Sequence, residues 1–250
     1  MKSFGHWFDD RFEEVRQVLA GQPSTGAEPD EETCLRKQRT RYRDSLRLIV
    51  PELTAPGERT YADVGGGHLA WLVAPRFPGR TVALDLGGAN DAEAQRLGVR
   101  TARWDVTAGD APEPAGSFDV VSFTEVLEHL PPPPFPHVRR VGALLKPGGI
   151  LLLTVPNMAA FMKRVKFLLF GRSPLKLGQV FTEEDGWPEH IREYTVPEVR
   201  RILDICGFEI ERLRTGDYGW HAWRRATTLL HRVTTGWGRT IMVRARKRPS

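Results

Sequence analysis

The 250-residue sequence has few cysteines and no long apolar segment. Its two cysteines, Cys34 and Cys206, are too few for a disulfide framework or a cysteine-based metal site, so we expect both to be packing residues. The longest apolar run, around residues 150–155, falls far short of the ~20 residues that a membrane-spanning helix needs. The N-terminus mixes aromatic with acidic residues and is unlike a signal peptide. We therefore expect a cytoplasmic protein without a transmembrane segment.

Acidic residues are outnumbered, with 31 Asp and Glu against 36 Lys and Arg, and the formal net charge is +5. The basic residues concentrate in three stretches, 36–47, 163–176 and 224–247. We interpret these stretches as solvated helix faces in preference to a nucleic-acid-binding stripe. The charge also suits an anionic substrate, such as a nucleotide-linked sugar, a nucleic acid or a phospholipid surface.

Apolar spacing predicts two helices ahead of any strand. The first extends from Phe4 to about residue 20, and a flexible linker follows over 21–30. The second helix has Asp30 as its N-cap and is expected to stop after Val50, because Pro51 follows. We predict that residues 1–56 form an N-terminal helical extension.

From Thr60 onward, short β-rich runs alternate with helical segments, a pattern that predicts a doubly wound α/β fold with a mainly parallel sheet. A further helix is marked by Thr195 and Glu198, which form a capping box, and by Gly207 at its end. Two more strands are predicted at 208–213 and 240–245, on either side of a basic helical segment around 220–233. The core strands are predicted at 60–64, 81–86, 99–105, 117–126 and 149–155, and the helices between them at 68–77, 91–97 and 137–145.

The first predicted strand ends in a glycine-rich turn, D-V-G-G-G at 63–67. Such a turn lets a cofactor approach the backbone closely, but the pattern G-x-G-x-x-A over 65–70 also fits nicotinamide or flavin binding. Asp63 separates the two possibilities. Its carboxylate would repel a pyrophosphate and attract the cationic amino group or sulfonium of S-adenosylmethionine. Asp85, which ends the next strand, suits the ribose hydroxyls of either cofactor.

Six segments, in this order, carry a resemblance to the class I S-adenosylmethionine-dependent methyltransferases: YADVGGG, TVALDL, RWDVT, SFDVVSFTEVLEHL, LLKPGGILLLTVPN and HIREYTVPEVRRILDICGFEI. The resemblance covers about residues 59–213. It implies a Rossmann-like methyltransferase domain with a seven-stranded sheet over 57–250, in which the last two strands form an antiparallel pair at the sheet edge.

The resemblance also implies a cofactor site. Asp63, Gly65 and Gly67 would line the methionine portion, while Asp85, with Leu86 beside it, would hold the ribose. The adenine would be framed by Asp105 and Val106, and the cofactor would be closed from the fourth strand by Thr124 and Glu125. Leu69 stands where the family has a third glycine, which puts the cofactor affinity in doubt.

Glu125, Glu128 and His129 form the sequence motif E-x-x-E-H, and His190 follows further along the chain. This arrangement resembles the metal-assisted O-methyltransferases of ubiquinone synthesis and of small-RNA 3′ ends. Our hypothesis is that these four residues hold Mg²⁺, Mn²⁺ or Zn²⁺, which would activate an acceptor hydroxyl. The alternative is that these residues cap a turn or touch the cofactor, with His129 or His190 acting as a general base.

Segment 156–194 follows the fifth strand, and in related enzymes it covers the acceptor pocket as a lid. Its apolar positions predict an amphipathic helix around 158–170, and we expect Phe161, Phe181 and Trp187 to contact the substrate. Two alternatives are that the helix packs on the core, or that it is a membrane-surface element that meets a lipid-linked acceptor.

The stretch TVPN…HIREYT…GF is similar to methyltransferases of polysaccharide and antibiotic biosynthesis. The leading hypothesis is therefore methyl transfer to a hydroxyl oxygen of a sugar or natural-product scaffold, a small-molecule acceptor that could be anionic. The alternatives are an RNA ribose O-methyltransferase and a non-catalytic S-adenosylmethionine-binding partner or regulator. The sequence predicts no oligomeric state.

Overall fold

The computed structural model describes residues 3–20, 31–76, 79–87, 91–172, 190–218 and 236–249. Several predictions concern residues outside these ranges: the linker at 21–30 with its N-cap Asp30, the substrate-contact candidates Phe181 and Trp187, and the basic segment around 220–233. These remain predictions. No helix in the described ranges is both long enough and apolar enough to span a bilayer.

Seven strands and seven α-helices occur among the described residues. The strands are β1 (Tyr61–Val64), β2 (Thr81–Asp85), β3 (Arg100–Arg103), β4 (Phe118–Thr124), β5 (Leu145–Pro156), β6 (Phe208–Gly216) and β7 (Thr240–Lys247). The helices are α1 (Phe4–Leu19), α2 (Glu31–Leu53), α3 (His68–Val73), α4 (Asp91–Arg96), α5 (Phe135–Ala143), α6 (Phe161–Phe170) and α7 (Val196–Ile205), and 3₁₀ turns follow α3 (Ala74–Arg76) and β4 (Leu127–His129).

The strands form one sheet in the order β3-β2-β1-β4-β5-β7-β6. The pairs among β1 to β5 are parallel, whereas β7 is antiparallel to both of its neighbours, β5 and β6. This confirms the predicted doubly wound, mainly parallel seven-stranded fold and its antiparallel pair. Because parallel strands end at the same edge, the residues that follow β1, β2, β3 and β4 come together there.

The sheet is buried on both faces, so its central strands are mostly apolar. Successive residues alternate between two hydrophobic clusters. Leu151 and Leu153 of β5 belong to the cluster under α5 and α7, whereas Ile150 and Leu152 belong to the cluster under α1, α2 and α3. Each face of the sheet therefore carries its own core.

The two predicted N-terminal helices are present, and they share a core with the sheet. Phe8 of α1 and Leu46 of α2 are fully buried in the same cluster as Val120 of β4. Arg11 of α1 is also buried and donates two hydrogen bonds to the backbone carbonyl of Trp71 in α3, one of them at 3.1 Å. The division at residue 56 stays a prediction, because the packing is continuous across it.

Several element boundaries differ from the prediction by a few residues, and three of them have a local explanation. Helix α2 continues through Pro51 to Leu53, because a proline in the last turn removes only one helical hydrogen bond and Leu53 gains a buried position. Helix α5 starts earlier, at Phe135, since Pro136 is tolerated in a first turn. Strand β5 starts at Leu145, which pairs with Phe118 before an irregularity in the register.

Candidate active site

The glycine-rich turn after β1 has a backbone that few other residues could adopt. Gly65, Gly66 and Gly67 all have positive φ, at +86°, +81° and +68°, in the left-handed region that favours glycine. A Cβ on Gly65 would stand 2.2 Å from Cγ2 of Val126. Position 65 therefore requires glycine for its conformation and for its space, and the turn exposes its backbone at the carboxyl edge of the sheet.

Asp63 lies beneath this turn. Its side chain is buried, and its Oδ2 accepts hydrogen bonds from the backbone N–H groups of Leu69 and Ala70, both at 3.1 Å. Its Oδ1 accepts a hydrogen bond from the hydroxyl of Ser122, which is also 2.6 Å from the hydroxyl of Tyr61. Burial raises the pKa of Asp63 to about 6. The carboxylate thus caps α3 and supports the turn, and its predicted direct contact with the cofactor stays a prediction.

Leu69, the departure from the family's third glycine, turns away from the site. Its side chain is fully buried in the cluster that contains α1 and α2 residues. The N-terminal extension therefore provides packing for a side chain at this position.

A cleft of about 420 Å³ opens beside the turn, between the ends of β2 and β3. Three of the residues predicted to bind the cofactor, Gly67, Asp85 and Leu86, line it. Asp85 is exposed, and its Oδ1 accepts a hydrogen bond from the backbone N–H of Leu86 at 2.7 Å. The side chain of Leu86 is half exposed. A carboxylate and an apolar surface therefore lie together where the ribose and base of a nucleoside are expected.

Asp105 and Val106, the residues predicted to frame the adenine, follow β3. Oδ1 of Asp105 accepts hydrogen bonds from the backbone N–H and hydroxyl of Thr107, at 2.8 and 2.7 Å, and these lower the pKa of Asp105. Arg140 of α5 donates to the carbonyls of Val106 and Thr107, both at 2.9 Å. This loop is consequently held in place by α5, and Arg140 is a supporting residue that the sequence patterns did not single out.

Glu125, at the end of β4, contacts a residue of the N-terminal extension. It has a φ of +55°, and its backbone N–H donates to the carbonyl of Thr154 at 2.9 Å. Its Oε1 accepts a hydrogen bond from the hydroxyl of Thr154 at 2.8 Å, and its Oε2 forms an ion pair with Arg41 of α2 at 2.9 Å. Sequence reasoning missed Arg41, since it lies in a basic stretch that we interpreted as solvated, whereas this guanidinium is buried.

Three of the four predicted metal ligands come together. Glu128, His129 and His190 each offer one ligand atom, and these atoms lie within 4.8 Å of one another. Among the described residues, neither carboxylate oxygen of the buried Glu128 has a hydrogen-bond partner. Burial, and then the charge of Glu125, raises the pKa of Glu128. The fourth predicted ligand, Glu125, is not part of this group. Its two carboxylate oxygens already have partners, Arg41 and Thr154.

The lid helix α6 begins close to this cluster. The ring of Phe161 stacks on Trp237 at 5.1 Å between centroids, so this candidate for substrate contact packs against the rest of the chain. The other end of α6 is different: Leu168 is 80% exposed and Leu169 is 69% exposed. Neither a substrate contact nor a membrane contact of this helix is tested, and both remain predictions.

A doubly wound sheet with an antiparallel β6–β7 pair at its edge, a glycine-rich turn after β1 and a carboxylate at the end of β2 is the arrangement that the sequence resemblance implies for a class I S-adenosylmethionine-dependent methyltransferase. The comparison of sequences agrees with this class. The family model described as a methyltransferase domain matches residues 35–213, and the chain belongs to this family. The matched range starts inside α2, so it includes Arg41.

Two curated relatives and one solved structure illustrate the similarity. A probable S-adenosylmethionine-dependent methyltransferase of Mycolicibacterium smegmatis is 30% identical over 153 residues, which are 60% of this chain and 51% of the relative. A ubiquinone biosynthesis O-methyltransferase of Xanthomonas campestris is 33% identical over 118 residues, 45% of this chain and 48% of the relative. The chain thus spans about half the length of these curated relatives.

The solved structure is the N-methyltransferase NodS from Bradyrhizobium japonicum in complex with S-adenosyl-L-homocysteine. It aligns with a TM-score of 0.55 at 17% identity, over 96% of this chain and 99% of that chain. At this identity the similarity shows the shared fold alone.

Proposed function

We propose that this protein transfers the methyl group of S-adenosylmethionine to a hydroxyl oxygen of a small molecule, of the sugar or natural-product kind. The observation that carries the proposal is the cluster of Glu128, His129 and His190 at the sheet edge where the glycine-rich turn also lies. The relative named for ubiquinone biosynthesis, an O-methyltransferase, supports oxygen as the acceptor. The similarity of the stretch TVPN…HIREYT…GF to methyltransferases of polysaccharide and antibiotic biosynthesis supports a sugar or natural-product scaffold as the acceptor.

The residues around the cleft fit the cofactor. The backbone of the turn is open at Gly66, where a Cβ would meet only an atom of His68, at 3.7 Å. The exposed carboxylate of Asp85 suits the two ribose hydroxyls, and Leu86 suits the flat face of a base. When bound, S-adenosylmethionine supplies a methyl group on a positively charged sulfur. We propose that Asp105, Val106 and Thr124 complete its binding site.

The cluster also fits a divalent cation. A buried carboxylate without a hydrogen-bond partner is costly unless a proton or a cation satisfies it, and the oxygens of Glu128 are in this position. One carboxylate and two imidazoles suit Zn²⁺ or Mn²⁺ better than Mg²⁺, which prefers oxygen ligands. A cation at this site would lower the pKa of an acceptor hydroxyl. Without a cation, His129 or His190 would instead act as the general base, since imidazole accepts protons near neutral pH.

The chain's own contribution to catalysis would then be mainly geometric. Methyl transfer is an in-line displacement, so the rate depends on how well the acceptor oxygen is aligned with the methyl group. The glycine-rich turn holds the donor, the histidine cluster holds the acceptor hydroxyl and accepts its proton, and the lid segment would exclude water.

Calorimetry with S-adenosylmethionine and S-adenosylhomocysteine tests the first step. We expect both to bind, and failure of both would refute the proposal. A panel of sugars, phenols and other hydroxylated small molecules, assayed by release of S-adenosylhomocysteine, then tests the acceptor class. Turnover of RNA ribose in place of these molecules would refute the small-molecule assignment. Binding of the cofactor without turnover of any acceptor would favour a non-catalytic partner.

Variants test the cluster. We expect His129→Ala and His190→Ala to abolish turnover, and His6→Ala, on the exposed face of α1, to leave it unchanged. Titration with Mn²⁺ or Zn²⁺ should show binding that Glu128→Gln removes. Glu125→Gln is the matched control, because Glu125 is engaged by Arg41 and should not be a ligand. Cation binding that depends equally on both glutamates would contradict the three-residue site.

A further inference from the structure

His190 is carried on a short segment that is held at both ends. The backbone N–H groups of Ile191 and Arg192 donate to the carbonyl of Glu128, at 2.8 and 3.1 Å. At the other end, the backbone N–H of Met158 donates to the carbonyl of Tyr194 at 2.9 Å. These contacts tie the segment to the ends of β4 and β5. They fix the backbone of His190, but they leave the rotation and the tautomer of its ring undetermined.

The ring of His190 lies beside a buried carboxylate that no sequence pattern indicated. The side chain of Glu193 is 6% exposed, and its Oε1 is 3.5 Å from Nδ1 of His190, slightly longer than an ordinary hydrogen bond. Its Oε2 accepts a hydrogen bond from the ammonium of Lys163, on α6. Nδ1 of His190 is itself buried and has no hydrogen-bond partner among the described residues. The carboxylate of Glu193, paired with Lys163, is the acceptor that lies beside it.

We infer that Glu193 is a positioning residue, which accepts a hydrogen bond from Nδ1–H of His190 and so fixes the tautomer of the ring. The inference rests on the proposed function only for the role of His190 in catalysis, and the tautomer of the ring does not depend on it. It identifies a role for a side chain outside the E-x-x-E-H text, and it links the lid helix to the cluster through Lys163.

The chemistry follows from the two nitrogens of a neutral imidazole, of which one carries the proton and the other the lone pair. With the proton on Nδ1 and bonded to Glu193, the lone pair lies on Nε2, where it is available to a cation or to an acceptor proton. Carboxylates that orient histidines in this way change metal affinity or activity by about 10–100-fold when they are removed. An imidazole in water prefers the opposite tautomer, so the effect of Glu193 is measurable.

The test is the tautomer itself, read from long-range ¹H–¹⁵N spectra of the full chain labelled on histidine nitrogens. The spectra are recorded at about pH 8, above the reference histidine pKa of about 6.5. The His190 signal is assigned by its loss in His190→Asn. We expect the Nδ1–H form in the unmodified protein, its loss in Glu193→Met, and its retention in Glu193→Gln, which keeps an acceptor oxygen.

Two controls separate this role from a loosened fold. Nε2 of His137 lies 2.8 Å from the carbonyl of Pro131, and this buried ring should give the same signal in every variant. Lys163→Met removes the other partner of Glu193 and should leave the His190 tautomer unchanged. The Nε2–H form in the unmodified protein, or an equal change in Lys163→Met and Glu193→Met, would overturn the inference.

The kinetic readout is separate. We expect Glu193→Met to lower kcat by about 10–100-fold with an unchanged KM for S-adenosylmethionine, and Glu193→Gln to recover part of the loss. An unchanged kcat in Glu193→Met, in a chain that does transfer methyl groups, would overturn the inference. If no acceptor is turned over, the proposed function fails, while the tautomer still decides the role of Glu193.

Discussion

Replacing Gly65 by alanine would place a methyl group where Val126 already lies. Gly65 has a φ of +86°, and a Cβ there would be 2.2 Å from Cγ2 of Val126. A left-handed backbone costs an L-residue about 1–2 kcal/mol, and insertion of a methyl group into a packed region typically costs ~1–3 kcal/mol more. We expect Gly65→Ala to lower the free energy of unfolding by about 2–5 kcal/mol.

Gly79→Ala separates the two contributions. Gly79 has a similar φ of +75°, but a Cβ there meets nothing within 4 Å, so this variant should lose only the backbone contribution of about 1–2 kcal/mol. Val126→Ala, made in the Gly65→Ala background, removes the methyl group that overlaps and should recover ~1–3 kcal/mol. The double-mutant cycle between positions 65 and 126 then measures the overlap directly.

Urea unfolding followed by circular dichroism gives these free energies, and calorimetry with S-adenosylhomocysteine gives the effect on the site. We expect Gly65→Ala to weaken cofactor binding, because the turn must shift to relieve the overlap, and Gly79→Ala to leave it unchanged. Equal losses of stability in the two glycine variants, or a coupling energy near zero between positions 65 and 126, would refute the reasoning from the close approach of Val126.

Three further predictions concern charged groups. Arg41→Met leaves the carboxylate of Glu125 without its cation and should lower the free energy of unfolding in urea by about 2–4 kcal/mol. The loss should be smaller than for a fully buried pair because Glu125 is 24% exposed. Adding Glu125→Gln should restore part of the lost stability. The pKa of Asp63 is raised to about 6, so its contribution to stability should fall as pH rises from about 4 to 6, and Asp63→Asn should remove this slope. The pKa of Asp119 is shifted in the opposite direction: burial acts to raise it, but contacts including Lys146 at 2.7 Å lower it overall. The contribution of Asp119 to the free energy of unfolding should therefore be lost as pH falls below about 4, and Asp119→Asn should abolish that loss.

The fold was predictable because its signals are local. Each central strand is a short apolar run bounded by a turn, and Thr195 with Glu198 forms the capping box that the spacing predicts. The bounds of α2 were less predictable, since Pro51 is a strong local stop signal that the burial of Leu53 overrides. Tertiary packing therefore decides how far α2 extends past its local stop signal.

The site was predictable where a recognisable motif marks its residues. The turn at 65–67 and the acid at 85 are recognised by their position after strands, and the structure places both beside the cleft. The charged partners come from elsewhere in the chain: Arg41, the partner of Glu125, lies on α2, and Lys163, the partner of Glu193, lies on α6. Neither spacing nor composition indicates which distant cation approaches a given carboxylate, so these contacts required the three-dimensional structure.

The two glutamates of the E-x-x-E-H text have different environments, and the N-terminal extension is the reason. Arg41 neutralises Glu125 and, with Thr154, engages both of its oxygens. Glu128 is more deeply buried and has no hydrogen-bond partner among the described residues, so it is the carboxylate available to a proton or a cation. Because α2 selects between them, the extension is part of the candidate active site as well as part of the core. Removing α2 should therefore alter the chemistry of the cluster in addition to the stability of the sheet.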